Sequence, residues 1–228
     1  MARVGRIALL LVLARWTFIF LVWPMRQDVV GASFMHLIDL VFHEAGHIVF
    51  RPFGEFLTVL GGSLLQVIVP IVCWISFTTT NPDPFAASVM AWWTGESLVD
   101  ISFYANDARS LSIMLLGGHT GSEVYGHDWE QILGMTGLTM HDHQIAWTFH
   151  GVGAVMMVGA LAYGAYVAWS GGSGGSSGSG RSGGSGLSRR SREAAKADGL
   201  GRTGSPIYLP PAPDRDSVGA GPGGHEPR

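Results

Sequence analysis

Five apolar stretches of near-membrane length constrain this chain more than anything else in it. They cover residues 7–23, 34–50, 56–77, 85–103 (with a polar extension to 107) and 145–169. A helix needs about 20 mostly apolar residues to cross a bilayer, within a range of about 17–25. Each stretch meets that length. Pro24, Pro52, Pro82 and Pro84 fall in the short links between the first four, where proline suits a helix end. The expected fold is all-α: a polytopic membrane bundle of about five transmembrane helices.

Charge sharpens this reading. Residues 1–170 hold six basic and twelve acidic side chains, while residues 171–228 hold eight basic and five acidic ones among Gly, Ser and Pro. The body, 1–170, is the membrane domain, with a polar His-rich loop at 109–144. The segment 171–228 is expected to be a disordered tail, because its composition cannot bury enough apolar area to offset ordering entropy. An acidic body with no basic face excludes nucleic acid as a partner. The single cysteine, Cys73, excludes a disulfide framework. Arg3 and Arg6 favour a cytoplasmic N-terminus, and Arg181, Arg189, Arg190 and Arg192 argue the reverse. Arg15, inside the first stretch, needs either to snorkel or to meet an acid.

The second stretch carries His43-Glu44-Ala45-Gly46-His47. Residues four apart share one helix face, so both imidazoles can reach one metal ion. The carboxylate of Glu44 can then take a proton from a water held there, which is the chemistry of zinc-dependent amide hydrolysis. Three ionisable groups within five positions are expensive in an apolar helix, which argues for a site rather than a coincidence. Asp39, one turn before His43, is expected to accept the other ring N–H and orient that ligand.

A catalytic zinc normally has three protein ligands. The second and fourth stretches run parallel, so their C-terminal ends share a membrane face. Asp107 and Asp100 are the candidates for the third ligand. Glu96 lies deeper, and Asp83 lies at the opposite face. In the loop, His127 and Asp128 are expected to form part of a lid. Trp129, Ile132 and Leu133 suggest a short amphipathic helix on the membrane surface. Gly61 and Gly62, and Gly153, Gly159 and Gly164, read as points of close helix packing.

An H-E-x-x-H within a membrane helix, followed two stretches later by an acid at a helix end, resembles the site-2 protease family. The resemblance covers about residues 33–110. It implies a multi-span zinc metallopeptidase, a hydrolase that performs intramembrane proteolysis on membrane-protein or peptide substrates within the lipid bilayer. It also implies a bacterial cytoplasmic membrane location. The family's third ligand is the aspartate of an Asp-Gly pair; Asp107-Ala108-Arg109 stands in that place, with alanine in the glycine position. That departure keeps Asp100 open as the alternative. The other readings are a non-catalytic membrane protein with a structural or relict metal site, and an ion carrier. A carrier would be expected to show an internal repeat, and none is visible.

Overall fold

The computed structural model describes residues 2–170; the expected tail at 171–228 lies outside the described residues. Among the described residues the fold is all-helical, apart from one isolated bridge between Met114 and Thr120. Five long helices run α1 (Ala2–Val22), α2 (Phe34–Phe50), α3 (Glu55–Thr79), α4 (Pro84–Asn106) and α6 (Asp142–Ser170), with a short α5 (Asp128–Thr136) before the last. Three segments are long and apolar enough to cross a membrane: Arg3–Val22, Glu55–Thr79 and Thr139–Ser170. The helix α2 is shorter, at 17 residues. In α4, Thr94, Glu96, Ser97, Asp100 and Ser102 break the apolar run, and all five are buried.

Local sequence explains the helix limits. The Ser33 side chain caps α2 by accepting from the His36 N–H at 3.0 Å. Asp83 caps α4 by accepting from the N–H groups of Phe85 and Ala86, with Pro84 at the first helical position. Asp83 is thus a capping residue. Gly54 separates α2 from α3 at φ 98°, a conformation that side chains disfavour. The link is short, so α2 and α3 are antiparallel neighbours. The helix α3 continues through Pro70.

At its centre, α4 packs against α6, α3, α2 and α1. Its Trp92, Val99 and Phe103 join Leu13, Phe20, Met35 and Met157 in one apolar core. The Trp92 indole N–H donates to Thr17 Oγ1 at 2.8 Å, so this large ring is buried without an unmet donor. Two glycine contacts set the helix spacing. Gly95 of α4 faces the backbone of Gly153 on α6, and a Cβ on Gly95 would come 2.7 Å from the Gly153 carbonyl. Gly46 of α2 abuts the backbone of Gly61 and Gly62 on α3. Gly164 packs on Ser88 of α4, whereas Gly159 has no such neighbour.

A second core explains where α5 sits. Trp129, Ile132 and Leu133 are buried with Val59, Ile101, Ala105 and Ala146. The Trp129 indole donates to Ser63 Oγ of α3 at 3.2 Å. This short helix is therefore docked into the bundle through α3, α4 and α6. That corrects the expectation of a membrane-surface helix: its apolar stripe found a protein partner. Arg15 lies exposed on α1 and pairs with no acid among the described residues.

Candidate metal centre

Close packing of α2 on α3 creates the site. His43 is buried and His47 half-buried, with ring centroids 5.0 Å apart. Both rings lie against Gly62: a Cβ there would come 2.6 Å from His43 Nε2 and 2.8 Å from His47 Nε2. A glycine at this position gives two imidazoles room beside a helix backbone. The outer nitrogens are committed. His47 Nδ1 donates to the Thr58 carbonyl at 2.8 Å, and His43 Nδ1 donates to Gln66 Oε1 at 3.2 Å. With those hydrogen bonds made by the outer nitrogens, a metal ion between the rings would be met by the Nε2 lone pair of each.

Both Nε2 atoms face one carboxylate oxygen, Asp128 Oδ2, at 2.9 Å from His43 and 3.3 Å from His47. The three ligand atoms lie within 4.8 Å of one another, and they form the one such His/Cys/Asp/Glu group among the described residues. Three acceptors converging in a largely buried place require a cation between them, either a proton or a metal ion. Two imidazoles and a carboxylate so placed could hold a metal ion.

This corrects the expected ligand set. Asp107 does not join the histidines. It ends α4 and organises the loop that follows, accepting at Oδ1 from Ser110 Oγ, Ser112 N–H (3.0 Å) and Ser112 Oγ (2.6 Å). Its Oδ2 accepts from the Ile113 N–H at 3.0 Å. Burial would raise its pKa, but His127, the two serine hydroxyls and the Ile113 N–H outweigh that and hold the carboxyl well below the usual range. Its oxygens face this loop, and Asp107 is not part of the His43, His47 and Asp128 group. Asp100 is committed as well, to His36 Nδ1 at 2.7 Å and to Gln66 Nε2 at 2.8 Å.

His127 and Asp128 stand at the start of α5, where Asp128 meets the two histidines. His127 is fully buried and caps α5, its Nδ1 accepting from the Glu130 N–H at 3.2 Å while its Nε2 lies 3.5 Å from Asp107 Oδ2. The Asp128 N–H donates to the Tyr104 hydroxyl at 3.1 Å. Asp107 and Tyr104 thus fix the start of α5, and the first residue of α5 delivers its carboxylate to the histidines. His-Asp-Trp at 127–129 was the available signal: an acid directly before a buried tryptophan.

Asp39 also departs from expectation. It shares the face of His43 but does not touch it. Its Oδ1 accepts from Trp93 Nε1 at 2.8 Å and Ser97 Oγ at 3.4 Å, and its Oδ2 from Gln66 Nε2 at 3.3 Å. Gln66 occupies the place expected for Asp39. Glu96 is fully buried near this cluster, with neither carboxyl oxygen hydrogen-bonded.

A cavity of about 670 Å³ opens beside the centre. Glu44, His43, His47 and Asp128 line one part, His36 and Asp100 another, and residues 113–118 and 124–126 run along it. Glu44 is exposed there, with no hydrogen-bond partner among the described residues. Comparison with protein-family models, with curated proteins and with solved structures yields no match.

Proposed function

We propose that the chain is a membrane-embedded zinc-dependent endopeptidase, with His43, His47 and Asp128 as its metal ligands. One observation carries this reading. Two Nε2 lone pairs and one carboxylate oxygen converge on a single point, on the wall of a cavity that a free glutamate also lines. Three protein ligands with an open side is the arrangement of a catalytic rather than a structural zinc. When bound, zinc supplies Lewis acidity, which polarises a carbonyl and acidifies a water.

The chain's own groups supply the rest. Glu44 lines the cavity without a side-chain hydrogen-bond partner among the described residues, so its carboxylate is available to accept a proton and to pass it to a departing amine. Gln66 and Thr58 keep the imidazole protons on the outer nitrogens. The apolar walls from Leu37, Leu40, Phe103 and Ile113 suit an extended apolar peptide. Substrates in this reading are membrane-associated polypeptides, and the three long apolar helices support an integral location.

The test uses the full chain purified in detergent or nanodiscs, with zinc measured by mass spectrometry and cleavage followed on a panel of labelled single-span peptides. The wild type is expected to hold one zinc per chain and to cleave a subset of the panel. Glu44→Ala should retain zinc and lose cleavage by about 100-fold or more, the size of a general-base contribution. Cleavage that persists in Glu44→Ala overturns the assignment.

A further inference from the structure

We infer that Gln66 is a positioning residue for the metal centre, and that the buried acids Asp39 and Asp100 act through it by fixing which way its amide faces. This rests on the metal-binding reading above and deepens it. A glutamine amide has a carbonyl that only accepts and an NH2 that only donates. The Gln66 side chain is 1% exposed, and its amide makes its hydrogen bonds to protein groups. Its NH2 meets two carboxylates, Asp100 Oδ2 at 2.8 Å and Asp39 Oδ2 at 3.3 Å. Trp93 and Ser97 donors take Asp39 Oδ1 and His36 takes Asp100 Oδ1, which leaves the two Oδ2 atoms facing the amide and holds its NH2 on their side. The carbonyl must then face His43 Nδ1, 3.2 Å away.

That orientation decides the histidine tautomer. A carbonyl at Nδ1 requires the ring proton there and leaves the Nε2 lone pair free to ligate. A flipped amide would present NH2 to Nδ1, drive the proton to Nε2, and close the ligand position. The carboxylates are in turn held from other directions. Trp93 Nε1 and Ser97 Oγ fix Asp39, and His36 Nδ1 fixes Asp100. Gln66 also lies one turn beyond Gly62, which puts it on the α3 face that the imidazoles touch. The network gives a physical reason for two acids, one from α2 and one from α4, in the interior of an apolar bundle: they polarise and orient one amide.

The test measures zinc affinity on the purified full chain by competition with a chromophoric chelator, together with the visible absorption of the cobalt-substituted protein. Gln66→Leu should weaken zinc binding by about 10- to 100-fold, the usual cost of removing a group that orients a ligand. It should also shift the cobalt spectrum. Asp100→Asn should weaken binding as well, because an asparagine NH2 on that side favours the flipped amide. The double variant Gln66→Glu with Asp100→Asn exchanges donor and acceptor between the two positions. It keeps an acceptor on His43 Nδ1, so it should restore affinity and cobalt spectrum toward wild type. A purely structural role predicts that the double variant is no better than either single one, and that outcome overturns the inference. Unchanged zinc affinity in Gln66→Leu overturns it too, while leaving the metal reading intact. A wild type that holds no zinc overturns both.

Discussion

Two polar clusters meet at Gln66, and they differ in how their lone pairs are used. On one side, Asp39 and Asp100 receive donors from Trp93, Ser97, His36 and the Gln66 amide. On the other, His43, His47 and Asp128 present three acceptors to one another, with their spare N–H groups turned outward. In the first, Asp39 and Asp100 are met by protein donors. The second needs a proton or a metal ion between its acceptors. Counting acids in apolar helices would rank the first cluster higher, since it holds Asp39, Glu96 and Asp100. Donor accounting reverses the order.

The largest effect that could break this contrast is expected at Asp128. Asp128→Asn should lower zinc affinity by more than about 100-fold, beyond the cost of losing an orienting group. Asp107→Asn should leave the ligands in place and cost far less. Equal losses in the two variants, measured by chelator competition, would mean that the loop and not the carboxylate makes the site.

Gly62→Ala comes next. Its Cβ would collide with both ligating nitrogens, so zinc binding should fall by at least about 10-fold. Gly159→Ala, on a part of α6 with nothing nearby, should change stability by only about 1 kcal/mol or less and leave zinc unaffected. Thermal unfolding with parallel metal analysis separates the two.

The third prediction concerns pH. The Asp107 carboxyl is held well below its ordinary value in the folded protein. Its contribution is therefore fully present above the unfolded-chain value of about 3.9, and is lost only as pH falls through the depressed folded value. Amide exchange in residues 110–113 should stay slow from neutral pH down to about pH 4 once corrected for intrinsic rates. In Asp107→Asn those amides should exchange faster already at neutral pH. Wild-type protection lost near pH 6 would contradict the assignment.

The smallest effect is expected at Glu96. Its carboxyl lies beside Asp39 and is not part of the group that could hold a metal ion. Glu96→Gln should leave zinc affinity unchanged and shift stability by no more than about 1–3 kcal/mol, the range for a buried polar group. Loss of zinc in this variant would join the two clusters into one functional unit.

Much of the scaffold was legible in sequence. The expected stretches at 34–50 and 56–77 coincide closely with α2 and α3, because apolar length and flanking prolines are local signals. His43, Glu44 and His47 were legible because helical spacing alone places two imidazoles on one face. The third member of the candidate metal group was not. Asp107 and Asp128 are both loop-adjacent acids, and only the hydrogen bonds that each receives tell them apart. Asp107 meets Ser110, Ser112 and Ile113 within its own turn, which consumes it. Asp128 is carried across the loop by a helix whose Trp129, Ile132 and Leu133 bury against α3 and α4.

What the sequence determined by itself, then, is everything with a period: where the helices run, and which two histidines share a face. What only the tertiary structure decided is the long-range pairing, eighty-one residues apart between His47 and Asp128. The physical reason is that helix periodicity reaches a turn or two along the chain. The burial of Trp129, the closeness of Gly46 to Gly61, and the direction of one glutamine amide depend on groups that no local pattern relates.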